Sequence, residues 1–206
     1  STVSLTGGGR KATPGEISLA NHGVLFLDEF PEYQRAALEA MRQPLEDGFI
    51  TVTRVQNTVR YPAHFMLVAS MNPCPCGKYG DPKQVCKCTP PQIQRYLGKI
   101  SGPLLDRIDI QVEVSSVPFE DITDKSDNAE TSAQIKERVQ KARSIQLDRY
   151  KGSDVYCNSQ LNSAQIRKYC SLPPDAELLM KRIFERFNMS ARAYTRVLKV
   201  ARTIAD

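Results

Sequence analysis

The 206-residue sequence predicts an α/β region built on parallel strands, followed by an all-helical region. Three observations carry that expectation. Val24-Leu-Phe-Leu27 and Phe65-Met-Leu-Val-Ala69 are short, continuous apolar runs, which read as strands buried on both faces of a parallel sheet. Ile108-Asp-Ile-Gln-Val-Glu-Val114 alternates apolar with polar residues and suits a third strand. Beyond a polar stretch at 115–129, apolar residues recur at helical spacing to the end of the chain.

Residues 1–22 are polar and glycine-rich and read as a mobile surface loop, with Ile17–Ala20 a short helix or strand. Gly7-Gly8-Gly9-Arg10-Lys11 has neither the spacing nor the hydroxyl residue of a phosphate-binding loop. No Gly-x-x-x-x-Gly-Lys-Ser/Thr string occurs in the 206 residues. After the first strand, Ala37, Leu38, Ala40, Met41 and Leu45 predict one helix over Glu32–Glu46, ended by Gly48. Phe49–Thr53 and Thr58–Tyr61 are β-branched runs joined by Arg54-Val-Gln-Asn57, which predicts a hairpin carrying Arg54 near its tip and Arg60 along one arm.

The second apolar strand ends in Ser70-Met-Asn72-Pro73 and leads into a cysteine-rich loop that lasts to about Pro90. Gln92–Ile100 reads as helix and Ser101–Arg107 as a capped helical turn. The C-terminal helices are expected at about 130–150, 163–170, 174–187 and 190–205, the last three opened by Ser163, Pro173-Pro174 and Ser190. The domain boundary implied is 1–118 for the α/β part and 119–206 for the helical part.

Composition sets the class. The net charge is +5, yet residues 1–129 carry 13 Lys/Arg against 15 Asp/Glu, while residues 130–206 carry 15 against 8. A basic helical region suits nucleic acid or nucleotide phosphate, and equally a solvated helical surface. No window is apolar enough to span a membrane, and no signal-peptide pattern opens the chain. The chain begins at Ser1 rather than methionine, so the expectation is a piece of a longer polypeptide. Six cysteines without an export signal point to a reducing, cytoplasmic setting.

Several residues carry candidate chemistry. Asp28 and Glu29 end the first strand, where open α/β sheets bind ligands; there a metal-holding aspartate and a water-polarising acid are needed for nucleotide hydrolysis. A strand stopping in a solvated loop gives the same string. Asn72, at the end of the second strand, is either a water-holding amide or an Asn-Pro turn initiator. Arg107 either pairs with Asp106 or Asp109, or reaches a neighbouring subunit's nucleotide. Arg192, in the first turn of a helix capped by Ser190, opposes the helix dipole and suits an approaching anion, with Arg196 one turn on. Cys74, Cys76, Cys86 and Cys88 form two Cys-x-Cys pairs, which fit a tetrahedral zinc site or four unligated thiols. His22 and His64 read as structural.

Taken together, Pro14–Ala20, Gly23–Glu29, Met71–Gly77 and Ser101–Asp109 resemble, in order and spacing, the AAA+ ATPases of the magnesium-chelatase-like group, YifB/ComM type. The resemblance runs from about Leu5 to Asp206. It implies a partial P-loop NTPase (AAA+) core followed by a helical lid domain. It implies further that Asp28 and Glu29 are the Walker B pair, Asp28 holding Mg2+; that Asn72 is sensor 1; and that Arg107 is an arginine finger acting in trans. Arg192 then matches sensor 2, with Arg196 as fallback, and the 49–61 hairpin matches the pre-sensor-1 hairpin that faces DNA in related hexameric helicases. ATP and Mg2+ are the implied cofactors, and a hexameric ring of copies the implied assembly.

The family's Walker A loop and first core strands belong upstream, so the piece alone is expected to be inactive. The family strand order 5-1-4-3-2 places an absent strand between the second and third strands found here. The expectation is a perturbed sheet or a dimer formed through exposed strand edges. Three functions compete: a ring motor acting on DNA through Arg54, Arg60, Arg10 and Lys11; a chelatase-type subunit for metal insertion into a tetrapyrrole; and a non-catalytic binding module stabilised by zinc at the four cysteines.

Overall fold

The computed structural model describes residues 1–9, 11–53, 58–115, 117 and 130–206. The chain divides into two compact units, Ser1–Ser116 and Val117–Asp206. Each is described by itself.

The first unit is organised by a parallel pair of strands, β1 (Val24–Leu27) and β4 (Met66–Ala69), in the register Val24↔Met66 to Leu27↔Ala69. Parallel strands need a crossover. It contains a 3-10 turn (Phe30–Glu32), two helices, α3 (Arg35–Ala40) and α4 (Arg42–Asp47), and a hairpin of β2 (Phe49–Thr53) with β3 (Thr58–Pro62). Leu25, Leu27, Phe30, Leu38, Met41, Ile50, Ile100 and Leu104 share one core. Two further helices, α5 (Pro90–Leu97) and α6 (Gly102–Leu105), follow the cysteine loop, with Ser101 capping α6 through Leu104 N–H at 3.3 Å.

Several expectations are corrected here. β1 is buried on one face only: Leu27 is 3% exposed, but Val24 and Phe26 are 58% and 59% exposed. The helices and hairpin of this unit pack on the Leu25/Leu27 side. The helix expected over Glu32–Glu46 is broken at Met41. Pro44 has no N–H for the carbonyl of Ala40, and its ring crowds that carbonyl, so two short helices replace one long one. Gly48 does end α4, in the left-handed conformation at φ 71°, with its Cα against the His64 ring, where a side chain would have no room.

Ile108–Val114 forms no strand: its residues pair with none of the described strands, and Val114 is 83% exposed. Alternation selects a face, but a strand gains its hydrogen bonds only from a neighbouring edge.

The N-terminal 22 residues are also more ordered than a loop. They hold α1 (Thr2–Thr6) and α2 (Glu16–Leu19), with Leu5 and Ile17 in the core. Gly8 and Thr13 exchange two backbone hydrogen bonds of 2.8 Å, and the Tyr61 hydroxyl donates to the Ala12 carbonyl at 2.6 Å. That pins the glycine-rich turn to β3.

The second unit is helical: α7 (Ser132–Arg149), α8 (Ser163–Tyr169), α9 (Pro174–Arg186) and α10 (Ala191–Ala205). Thr131, Asn162 and Ser190 cap α7, α8 and α10 by accepting backbone N–H groups of the first turn. The cap of α8 is Asn162, one residue before the serine expected to open it. Tyr150, Leu161, Ile166, Cys170 and Leu198 form its core.

Beside that core lies a buried polar network that the sequence did not suggest. Asn158 Oδ1 accepts from the Tyr150 hydroxyl at 2.6 Å and from Arg149 Nη1 at 3.1 Å. Asn158 Nδ2 donates to Thr203 at 3.0 Å and to Asp206 at 2.9 Å. Arg149 grips Asp206 with both guanidinium nitrogens, at 2.9 and 2.5 Å, and the Asp206 side chain is 1% exposed.

The Arg149 hydrogen bonds hold the Asp206 carboxyl below its ordinary value of 3.8, against the opposing effect of burial. A carboxylate whose folded-state pKa is depressed stabilises the fold above its unfolded value and loses that contribution as pH falls through the folded one. Replacing Asp206 by Asn leaves a buried guanidinium without its anion, at a cost of about 3–5 kcal/mol. Thermal unfolding at neutral pH is therefore expected to show a large drop in Tm for Asp206→Asn. The gap to the unsubstituted protein should narrow as pH falls below 3.8. A gap independent of pH would contradict the assignment.

Candidate functional site

The end of the β1/β4 pair concentrates the chemistry. The ladder continues one step past the strands: Ser70 N–H donates to Leu27 O at 3.0 Å, and Phe30 N–H donates to Ser70 O at 2.9 Å. Asp28 thus lies beside Ser70. The Ser70 hydroxyl donates to Asp28 Oδ1, and the Glu29 backbone N–H donates to the same oxygen at 2.9 Å. Two donors on one oxygen fix the carboxylate plane, and among the described residues no hydrogen bond engages Oδ2. Both acids are exposed.

Glu29 adopts the left-handed conformation, at φ 50° and ψ 47°. For a residue other than glycine this costs on the order of 1–3 kcal/mol. The next two residues offset it. Phe30 and Pro31 are fully buried, and burying one large apolar side chain contributes about 1.5–3 kcal/mol. The core therefore sets the turn, and the turn projects the second acid from the strand end.

Asn72 lies two residues beyond Ser70, at the same end of the sheet, and is exposed. Its backbone N–H donates to the hydroxyl oxygen of Tyr96 in α5, while burial pushes the Tyr96 phenol up. In the turn that follows α5, Lys99 Nζ pairs with Glu32 at 3.1 Å. α5 is in this way tied to the segment after β4, and the turn behind it to the turn after Glu29.

Arg107 is engaged in a different way from that expected. It pairs with Glu46 near the end of α4, not with Asp106 or Asp109, and its Nη1 also donates to the Pro103 carbonyl. The side chain is 14% exposed, with its Nε buried and unpartnered. Arg192 and Arg196 both lie in α10 of the second unit, Arg192 exposed and Arg196 half-buried one turn on. Arg60 is exposed on β3 opposite Thr51, with its guanidinium 3.2 Å from the centre of the Phe49 ring. Lys11 is exposed in the N-terminal turn, whereas Arg10 and Arg54 fall outside the described residues. The His22 and His64 rings stack at 6.2 Å, and His22 N–H donates to the His64 carbonyl at 2.6 Å.

The four cysteines of the loop between β4 and α5 converge, with all four sulfurs within 4.8 Å of one another. Cys74 is buried and lies 3.4 Å from Cys76 and 3.7 Å from Cys86. The backbone N–H groups of Lys87 and Lys78 hold the Cys76 thiol down to about 6. Desolvation within the cluster pushes Cys88 up to about 12.

The sequence reading missed Ser70, Tyr96, Lys99 and Glu46. Ser70 had a usable signal: once the two apolar runs are paired in parallel, a hydroxyl falls opposite Asp28. The others are contacts between elements, which no local pattern reveals.

Comparison with known proteins agrees along the whole chain. A family model described as magnesium chelatase, subunit ChlI, matches residues 1–122, and the corresponding C-terminal model matches residues 129–206. The chain is 45% identical over its full length to the competence protein ComM of Haemophilus influenzae, of which it covers 39%. It is 43% identical over its full length to the uncharacterized protein YifB of Escherichia coli, of which it covers 40%. It is also similar to the magnesium-chelatase subunit ChlI of Porphyra purpurea, with 36% identity over 70 residues, or 34% of this chain and 20% of that protein. The chain spans about two fifths of the length of the ComM and YifB relatives. By family and by full-length identity, the chain belongs to the magnesium-chelatase-like AAA+-type ATPases of the YifB/ComM group.

Proposed function

We propose that these residues form the acidic half of an ATP-hydrolysing site in a ring-forming motor that acts on DNA. The observation that carries the reading is the locked Asp28 carboxylate beside the left-handed Glu29 at the end of a parallel strand pair. That is where an open α/β sheet meets its ligand. Asp28 offers a hard oxygen donor with one oxygen already fixed, which fits Mg2+, and Ser70 holds it in place. Bound there, the ion would neutralise charge on the nucleotide phosphates.

This chain's own groups do the remaining work. Glu29, exposed and projected by its strained turn, takes a proton from the attacking water. Asn72 orients that water, with its backbone held by Tyr96. Arg107 serves a neighbouring subunit's nucleotide, exchanging its Glu46 partner for phosphate. Arg192, with Arg196 one turn on, is the candidate for a phosphate-binding arginine in the helical unit. Arg60, Lys11, Arg10 and Arg54 are the candidates for DNA backbone contacts, and Phe49 beneath Arg60 adds an aromatic surface of the kind single strands stack on.

The competence function named for the Haemophilus relative, which matches the whole chain, favours a DNA client for this protein. The chelatase subunit matches only 70 residues, and metal insertion ranks second on that ground.

The full-length protein tests both parts. Glu29→Gln is expected to cut ATP turnover by about 100-fold or more while leaving ATP binding intact. Unchanged turnover would remove Glu29 from the chemistry. Arg107→Ala should also lose turnover, and mixing it with Glu29→Gln should restore part of it, because one variant keeps the acid and the other the arginine. Co-assembled rings without restored activity would contradict action in trans. Single-stranded or forked DNA should stimulate turnover, and Arg60→Ala should weaken that stimulation; failure of both would remove the DNA client.

A further inference from the structure

The loop between β4 and α5 runs for 20 residues without a helix or strand. Connections of that length inside a compact unit are uncommon unless they have a function of their own. It buries Cys74 completely and brings four thiols from two Cys-x-Cys pairs together. Three sulfur pairs lie at 3.4, 3.7 and 3.7 Å. A tetrahedral zinc ion with Zn–S bonds of about 2.3 Å requires sulfurs about 3.8 Å apart. A disulfide requires about 2.05 Å, and all six cysteines of the chain are free thiols. An iron–sulfur cluster is larger than a single ion and would hold the sulfurs farther apart than these are.

The backbone around the cluster turns tightly. Gly77 N–H donates to the Cys74 carbonyl at 3.0 Å, and Gly77 takes a left-handed φ of 76°, which turns the chain back after Cys76. Four thiolates around Zn2+ leave a net charge of −2, and the segment 74–88 offsets it with three lysines against one aspartate. Asp81 and Gly80 close the far turn, with Lys83 N–H donating to Asp81 at 2.7 Å.

The cluster also sits where it can act on its neighbours. Cys74 follows Asn72 by two residues, and Cys88 directly precedes Thr89, the cap of α5. The Asn72 carboxamide oxygen lies against Gly77, and Asn72 N–H is bonded to Tyr96 of α5.

We propose that Cys74, Cys76, Cys86 and Cys88 hold one tetrahedral zinc ion that fastens the end of β4, and Asn72 with it, to the start of α5. The ion replaces the missing hydrophobic core of the loop by cross-linking residues 12 positions apart. The inference is independent of nucleotide hydrolysis, because zinc content is read without ATP and its failure leaves the acidic site untouched.

Elemental analysis of the full-length protein, purified without added zinc and dialysed, is expected to give one zinc per chain. X-ray absorption at the zinc edge should show four sulfur neighbours. Cobalt substitution should give the thiolate charge-transfer and tetrahedral d–d bands in the unsubstituted protein, which needs no variant to fold. Cys86→Ser combined with Cys88→Ser should lose the zinc. Stripping zinc from the unsubstituted protein should speed amide exchange in 70–97 and leave 132–205 unchanged. A folded, metal-free protein, zinc with fewer than four sulfurs, or zinc retained by the double variant would overturn the site. Exchange in 70–97 that ignores the metal would overturn the fastening.

Discussion

The parallel pairing of Val24–Leu27 with Met66–Ala69 is the constraint on which the first unit depends. It fixes which residues of two distant segments become neighbours at the strand ends: Asp28 with Ser70, and Asn72 just beyond. It also demands the long crossover that carries α3, α4 and the hairpin, whose apolar sides fill the core beneath Leu25 and Leu27. The left-handed turn at Glu29 is a local cost set against that core. Phe30 and Pro31 are held so firmly that the acid before them has one direction to leave the strand. Site geometry and core packing are in this sense one problem.

Asp28 Oδ1 is fixed by a hydroxyl and a backbone amide. Such donors reduce the reorganisation needed when charge builds up nearby. The arrangement has a second layer: Tyr96 ties α5 to Asn72, Lys99 in the following turn pairs with Glu32, and the cysteine cluster stands between β4 and α5. Arg107 is paired with Glu46. The helical unit solves a different problem. There a buried Arg149–Asp206 pair, completed by Asn158 and Tyr150, stands beside a small apolar core. A network of this kind adds specificity only if every member is satisfied, and Asn158 has partners for both its oxygen and its amide nitrogen.

What the sequence revealed follows from periodicity and punctuation. The two apolar runs, the pairing of β2 with β3, Gly48 as a stop and the four C-terminal helices were all legible, because each signal is local. Pro44 was legible too, and its missing N–H explains why the helix over 32–46 is broken. The one-sided burial of β1 and the unpaired Ile108–Val114 segment were not, since strand burial and pairing depend on neighbours that alternation does not name. The same limit hid Arg107–Glu46 and the Asn158 network, which join residues far apart in the chain. Among the candidate site residues, Asp28, Glu29 and Asn72 do share one strand end. Arg192 and Arg196 lie in the other unit.

The strand pairing positions Asp28 through Ser70. Steady-state ATP turnover and nucleotide affinity of the full-length protein carrying Ser70→Ala test it most directly, with Ser70→Thr as the variant that restores the hydroxyl. Loss of an outer-shell partner of this kind typically costs about 10–100-fold. With Asp28 in its proposed role, a turnover loss of that size is expected in the alanine variant, with recovery in the threonine variant and ATP affinity close to that of the unsubstituted protein. Full turnover in Ser70→Ala would contradict it.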